Sequence, residues 1–496
     1  METKKSKKGK MNFKTSVHSI VILSLIVCCG ACFASMQQSV AELLKLRKYT
    51  GGGIGIVIKD LGNDSVVVSI NPDTLLNPAS VAKLVTGTAA LELLGLDFLH
   101  LTRVYIDGKF NSDSGVINGN LYIKGFGDPG FSAERLWLFV QHLRHRGIKA
   151  VRGNLVLDDF FFDSVSVGPG FSEEDGSRAY QSLISALPVS FSAVGIHHRP
   201  GQDAGSPVHV DMFPKIEGVR ISSSAKTVDG SRGRLDVSTS LSSGATQILV
   251  RGNMAINEKP RYTYRRVWQT WETFGGALRA QCTESDLRIA GKTVRAKVPD
   301  SLIAKGPFYI FDSEPMPVFI GHMFKWSSNF VSEMLFKTMG AKERGEPGTW
   351  PKGVSAVSNW WEKRGLPAKL EMANGSGMGD VNRISAAQVT ELLAYVSKQK
   401  NYYPDFIAAL PAAGIDGTLK TRFNRSKLKG RVRAKTGTLN SLKVSTLAGY
   451  LFLDDKTYAF TIILNDAGTG QFDNWIMQEE ILELIANKQP GVWNFR

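Results

Sequence analysis

The texture of the chain changes twice along its length, and that discontinuity limits the fold more than any single motif. Residues 54–59 and 66–70 are apolar, β-branched runs separated by Leu61-Gly62-Asn63-Asp64, the pattern of a β-hairpin. A helix is expected from Pro78 to about Leu94. Pro78 suits the first turn, Asn77 can cap it, Gly95 stops it, and Val81, Leu84, Val85 and Leu91 recur at helical spacing. From about residue 99 to 300 the chain breaks into short β-like runs punctuated by Gly, Ser and Pro, among them 151–158, 208–213 and 248–251. Helical periodicity returns at 318–339, 354–364 and 386–398. Three strand-like runs (431–439, 445–453, 458–464) and an amphipathic helix over 474–487 close the chain. These elements fit one α/β (α+β) domain assembled from both ends of the chain, with an antiparallel sheet and a helical subdomain, interrupted by a mostly β insertion.

With 496 residues and 43% hydrophobic side chains the chain can fill more than one core, and two or three domains are expected. Residues 1–34 differ in kind from the rest. Six lysines precede an apolar stretch from about Ser19 to Phe33 that ends in the small residues Cys32 and Ala34, which reads as a secretory signal with cleavage after Ala34. About 15 apolar residues fall short of the roughly 20 a spanning helix needs. Cys28, Cys29 and Cys32 lie in that segment, so Cys282 stands alone beyond it and no internal disulfide is available to the exported chain. The formal charge of +15 drops to about +10 without the leader. A basic surface suits wall polymer or membrane headgroups, so peripheral wall or membrane association fits, while the export signal argues against a nucleic-acid partner. No cysteine or histidine spacing suggests a metal site, and His197-His198 reads as a loop or strand edge.

Three short motifs can carry chemistry. In Ser80-Val81-Ala82-Lys83 a helix places the two outer residues on one face, so a lysine amine desolvated by burial can take the serine proton near the helix N-terminus. The pattern recurs at Ser223–Lys226, Ser397–Lys400 and Ser426–Lys429, but only Ser80 opens an apolar helix directly after a hairpin. Ser327-Ser328-Asn329 interrupts an apolar helical run with a hydroxyl and an amide able to relay protons and bind a substrate amide. In Lys435-Thr436-Gly437-Thr438, at the end of a strand, Gly437 leaves room for a substrate backbone, and the lysine and threonine hydroxyls can hold a carboxylate.

The ordered set S-x-x-K, S-x-N, K-T-G resembles that of penicillin-recognising serine enzymes. The 247 residues from Ser80 to Ser327 make the chain similar to class C low-molecular-mass penicillin-binding proteins, the DacB-like D-alanyl-D-alanine carboxypeptidase and endopeptidase family. Gly119–Tyr122, Gly127–Pro129, Gly153–Asp158, Asn374–Gly377 and Leu410–Leu419 resemble it too. The resemblance implies a penicillin-binding transpeptidase or serine β-lactamase-like domain over 35–98 and 303–496. It also implies two inserted domains, one over 99–185 and 254–302 and one nested at 186–253. It further implies Ser80, Lys83, Ser327, Asn329 and Lys435 as catalytic residues and Thr436, Gly437 and Thr438 as substrate-binding. Asp158 would bind the amine of diaminopimelate, and no cofactor or metal is implied. Peptidoglycan stem peptides would be the substrate, β-lactams the inhibitors, and the periplasm or cell envelope the place. Two positions depart from the usual pattern: Ser328 stands for the commoner Asp and Asn374 for an Asp, and neither removes a proposed catalytic group.

Overall fold

The computed structural model describes residues 36–50, 52–171, 176–467 and 470–487. The expected leader and its cleavage point lie outside the described residues. Both ends of the chain meet in one antiparallel sheet, in the order Val432–Leu439, Val444–Phe452, Thr457–Asn465, Ile54–Asp60, Val66–Ile70. Ile54 lies opposite Leu464 and Ile58 opposite Phe460, so the first hairpin continues a sheet whose other strands come some 400 residues later. A helix over 36–46 and the helix Gln471–Asn487 cover one face through Val40, Leu44, Met477, Ile481 and Leu482. The helix Ala386–Ser397 covers the other, against Ala448, Tyr450 and Ala459. With both faces buried, the inner strands read as nearly continuous apolar runs instead of alternating ones.

Beside the sheet, helix Ala82–Leu93 is enclosed by Met316–Lys325, Asn329–Arg344 and Trp350–Lys363. Every residue from Ala82 to Leu91 is buried, which is why this helix is apolar on all sides and shows no stripe. The helical run over 318–339 breaks at the expected polar trio: Ser327, with φ +56°, turns the chain and Ser328 caps the next helix by accepting from Val331 N at 3.2 Å.

The insertion is built on several small sheets. One runs Thr293–Arg295, Leu155–Asp158, Leu121–Gly125, Leu101–Ile106, Tyr309–Asp312, and another His209–Phe213, Ala193–Arg199, Arg261–Arg266. These pairings cross the boundaries expected from sequence: Arg261–Arg266 joins a strand of the nested module although it follows residue 253, and Tyr309–Asp312 joins the insertion although it follows residue 302. One large apolar cluster, including Val104, Leu157, Val194, Ile248 and Phe274, spans both expected inserted domains, so texture alone had no seam to detect. Two helices, Ala133–His145 and Trp271–Glu284, lie within the strand-rich stretch; Leu136, Phe139, Val140 and Leu143 form the buried stripe of the first. Cys282 sits in the second, unpaired and buried, and burial pushes its thiol up to about 12.

An ion pair with its lysine buried and its aspartate partly exposed ties the insertion to the domain built from both chain ends. Lys337, enclosed in helix Asn329–Arg344, donates to Asp163 Oδ1 at 2.6 Å and to Val165 O at 2.9 Å, with its amine 4.2 Å from the Trp350 ring centre. Removing one partner of such a pair strands the other charge, so Asp163→Ala is expected to destabilise by about 3–5 kcal/mol. Adding Lys337→Met removes the stranded charge and should recover much of that loss. Calorimetric unfolding of the single and double variants checks this; a double variant no more stable than Asp163→Ala would contradict it.

Candidate active site

The chain approaches Ser80 through a strained turn. Asn77 Oδ1 accepts from Ala79 N at 2.9 Å, Thr446 Oγ1 donates to Pro78 O at 2.9 Å, and Ala79 takes φ +43°. A 3-10 turn, Ala79–Val81, then leads into helix Ala82–Leu93. Asn77 therefore closes a turn before Ser80 and does not cap a helix starting at Pro78. The arrangement leaves Ser80 partly exposed while Lys83, one turn on, is fully enclosed.

The Lys83 amine donates to Ser80 Oγ at 2.9 Å, to Asn329 Oδ1 at 2.7 Å and to Ser376 O at 2.7 Å. These partners come from three separate parts of the chain and use all three N–H bonds an ammonium can offer. Burial pushes Lys83 down to about 7, and the Glu333 carboxylate opposes that shift. Near neutral pH the amine is then poised to lose its proton and face the Ser80 hydroxyl as a base.

Asn329 opens its helix, and its Nδ2 donates to Tyr180 O at 3.1 Å, a contact with the insertion. Ser327 Oγ accepts from Lys435 Nζ at 2.8 Å, and Lys435 also donates to Thr436 O at 2.6 Å. Lys435 is fully buried. Burial and then the nearby Lys83 charge hold its amine well below the usual lysine range. The expected helix start, helix break and edge strand thus converge: Ser80 with Lys83 and Ser327 with Lys435 form two hydroxyl–amine pairs, and Asn329 accepts from Lys83.

Thr436 Oγ1 donates to Thr418 Oγ1 at 2.8 Å, and Thr438 is exposed beyond it. Gly437 has a different reason from the expected one. A Cβ there would stand 2.9 Å from Ser80 N and collide with Thr446 Oγ1, so the glycine lets the edge strand press against the start of the nucleophile turn, where room for a substrate was expected. Asp158 is a second correction. It is enclosed, with Oδ2 accepting from Lys124 at 3.1 Å and Val298 N at 2.8 Å and Oδ1 from Phe160 N at 3.2 Å. With its oxygens committed inside the protein, it presents nothing to a substrate amine.

Two groups escaped sequence reasoning. Ser376 meets Lys83 through its backbone carbonyl, which no side-chain pattern encodes. Glu333 accepts from Ser376 N at 2.8 Å, Gly375 N at 3.2 Å and Trp350 Nε1 at 2.7 Å, holding the 374–377 loop in place. Its signal was present, as a lone carboxylate one turn after Asn329 among Phe330, Val331, Met334 and Leu335. Gly377, at φ +77°, packs where a Cβ would overlap the Ala79 backbone, so that loop also buttresses the nucleophile turn.

Comparison with known proteins agrees with this geometry. The D-Ala-D-Ala carboxypeptidase 3 (S13) family pattern matches residues 36–488. The chain is 28% identical over 449 residues to the D-alanyl-D-alanine carboxypeptidase of Actinomadura sp. (strain R39), covering 88% of this chain and 82% of that one. It is 24% identical over 454 residues to D-alanyl-D-alanine carboxypeptidase DacB of Haemophilus influenzae, covering 90% and 92%. The crystal structure of penicillin-binding protein 4 (dacB) from Haemophilus influenzae shares its fold, with a TM-score of 0.76 at 23% identity over 90% of this chain and 99% of that one. A desolvated lysine against a serine hydroxyl, in a chain that one family pattern spans almost from end to end, makes this protein a member of the D-Ala-D-Ala carboxypeptidase 3 (S13) family.

Proposed function

We propose that Ser80 is the nucleophile of a D-Ala-D-Ala carboxypeptidase that also cuts D-Ala-linked cross-links in peptidoglycan, and that Lys83 is its base. The observation that carries this is the Lys83 amine, buried, pushed down to about 7 and 2.9 Å from Ser80 Oγ. Neutral Lys83 takes the hydroxyl proton as Ser80 Oγ bonds to the carbonyl carbon of the penultimate D-alanine. Backbone N–H groups of Ser80 and Thr438 receive the developing oxyanion. As the C–N bond breaks, the proton taken up by Lys83 is relayed through the hydroxyl of Ser327, held by Lys435, to the departing amine, which leaves Lys83 neutral and the acyl group on Ser80. Asn329, with one amide hydrogen on Tyr180 O, turns the other towards the substrate amide. Lys435, Thr436 and Thr438 attract the terminal carboxylate. Water then attacks the ester carbonyl, neutral Lys83 takes a proton from it and returns that proton to Ser80 Oγ as the acyl–oxygen bond breaks, which frees the acid product and the Ser80 hydroxyl. A β-lactam, which carries a strained amide in the same position, acylates Ser80 by the first half of this sequence.

The substrate lies in the cell envelope, so export through residues 1–34 and a loose hold on wall or membrane by the basic surface complete the reading. Among the described residues no helix is long and apolar enough to cross a membrane.

Intact mass after incubation with benzylpenicillin is expected to show one covalent adduct per chain, absent from Ser80→Ala. D-alanine release by that variant should fall by at least about 10³-fold. An adduct that survives the substitution would remove Ser80 from the role. The acylation rate carries a second signature. Deprotonation of Lys83 makes the base, so the rate should rise with pH through an inflection near 7 and fall about tenfold per unit below it. A profile flat between about pH 5 and 9 would exclude Lys83 as the base.

A further inference from the structure

We infer that an exposed aromatic face of the inserted sheet is a platform for the pyranose glycan strand of the wall, an inference that rests on the wall-acting function proposed above. In the sheet His209–Phe213, Ala193–Arg199, Arg261–Arg266, Val194 and Ile196 point into the core. The alternate residues face outward in register: Phe213 and Tyr264 flank Gly195, and Asp211 and Tyr262 flank His197. Phe213, Tyr262 and Tyr264 are 55%, 53% and 60% exposed, three large rings on one sheet face. The two tyrosine rings lie 18° from parallel with centres 6.3 Å apart, and the His197 ring is 4.8 Å from that of Tyr262. A Cβ on Gly195 would come within 3.1 Å of the Tyr264 ring, so the glycine lets that ring lie close against the sheet beside Phe213.

The edge strand His209–Phe213 also borders a cleft of about 890 Å³, into which Trp137, 52% exposed, and Gln281 project. The aromatic surface therefore continues from the sheet face into a groove. Sugars are recognised by this combination, with a C–H face of the ring laid on an aromatic plane and hydroxyl or acetamido groups bonded at its edge. Here Asp211, Gln281 and the phenols are placed to form such bonds. Among the described residues neither the Tyr262 nor the Tyr264 hydroxyl has a hydrogen-bond partner. Arg199 and His209 on the same face complement the acidic groups of wall polymer. A protein-binding patch would concentrate apolar groups and exclude charge from its centre, whereas these rings alternate with Asp211, His197 and Arg199.

Titration of the exported protein with glycan strands freed of stem peptides by an amidase tests the inference. Binding by the wild type is expected, weakened about tenfold by Tyr262→Ala with Tyr264→Ala and about threefold by Trp137→Ala. Benzylpenicillin acylation should be unchanged in both variants, which also reports that they are folded. No binding by the wild type, or equal binding by the double variant, would overturn the platform and leave a protein partner as the use of this face. Binding only to strands that keep their peptides would overturn it as well, since that locates recognition at Ser80. A wild type that binds bare strands but is not acylated would count against the proposed function alone.

Discussion

The amine of Lys83 is the point on which the site is organised. An ammonium enclosed in protein is tolerated only when its hydrogens find acceptors, and these are drawn from Ser80, Asn329 and Ser376. Satisfying one buried group thus brings together the start of a helix, the break between two others and a loop some 290 residues away. Burial also makes the amine useful, because desolvation brings its proton affinity down to where a base is needed at neutral pH. Glu333 works the other way. Its charge favours protonated Lys83 while its hydrogen bonds fix the loop that presents the Ser376 carbonyl.

Lys435 repeats the arrangement, paired with the Ser327 hydroxyl. The two amines repel when both are charged, and that repulsion adds to burial in lowering Lys435. The charge on Lys83 therefore bears on the protonation of Lys435. Strand and nucleophile turn must also approach closely, which Gly437 and Gly377 permit by leaving no side chain between them and the backbone of residues 79–80.

The insertion takes part in this frame. Tyr180 O orients the Asn329 amide, and the Asp163–Lys337 pair anchors the neighbouring loop to the helix that Asn329 begins. A long inserted segment can serve a catalytic domain in this way only if it is docked by buried contacts, because exposed ion pairs hold little. Its outward sheet face, by contrast, is left open to solvent.

Much of this was legible in the chain itself. The hairpin at 54–70, the buried helix after Pro78, the break at 327–329 and the three closing strands follow from periodicity and turn residues, which act over a few positions. The three motifs were legible for the same reason, since each is a local spacing on a single element. Tertiary structure alone decided that Tyr309–Asp312 belongs with the insertion, that Gly437 is small for packing and that Asp158 is spoken for by Lys124. It also decided that a backbone carbonyl at Ser376 holds the Lys83 amine. Each of these depends on which remote segment comes to lie alongside, and strand pairing and burial join residues whose separation along the chain carries no periodic signal.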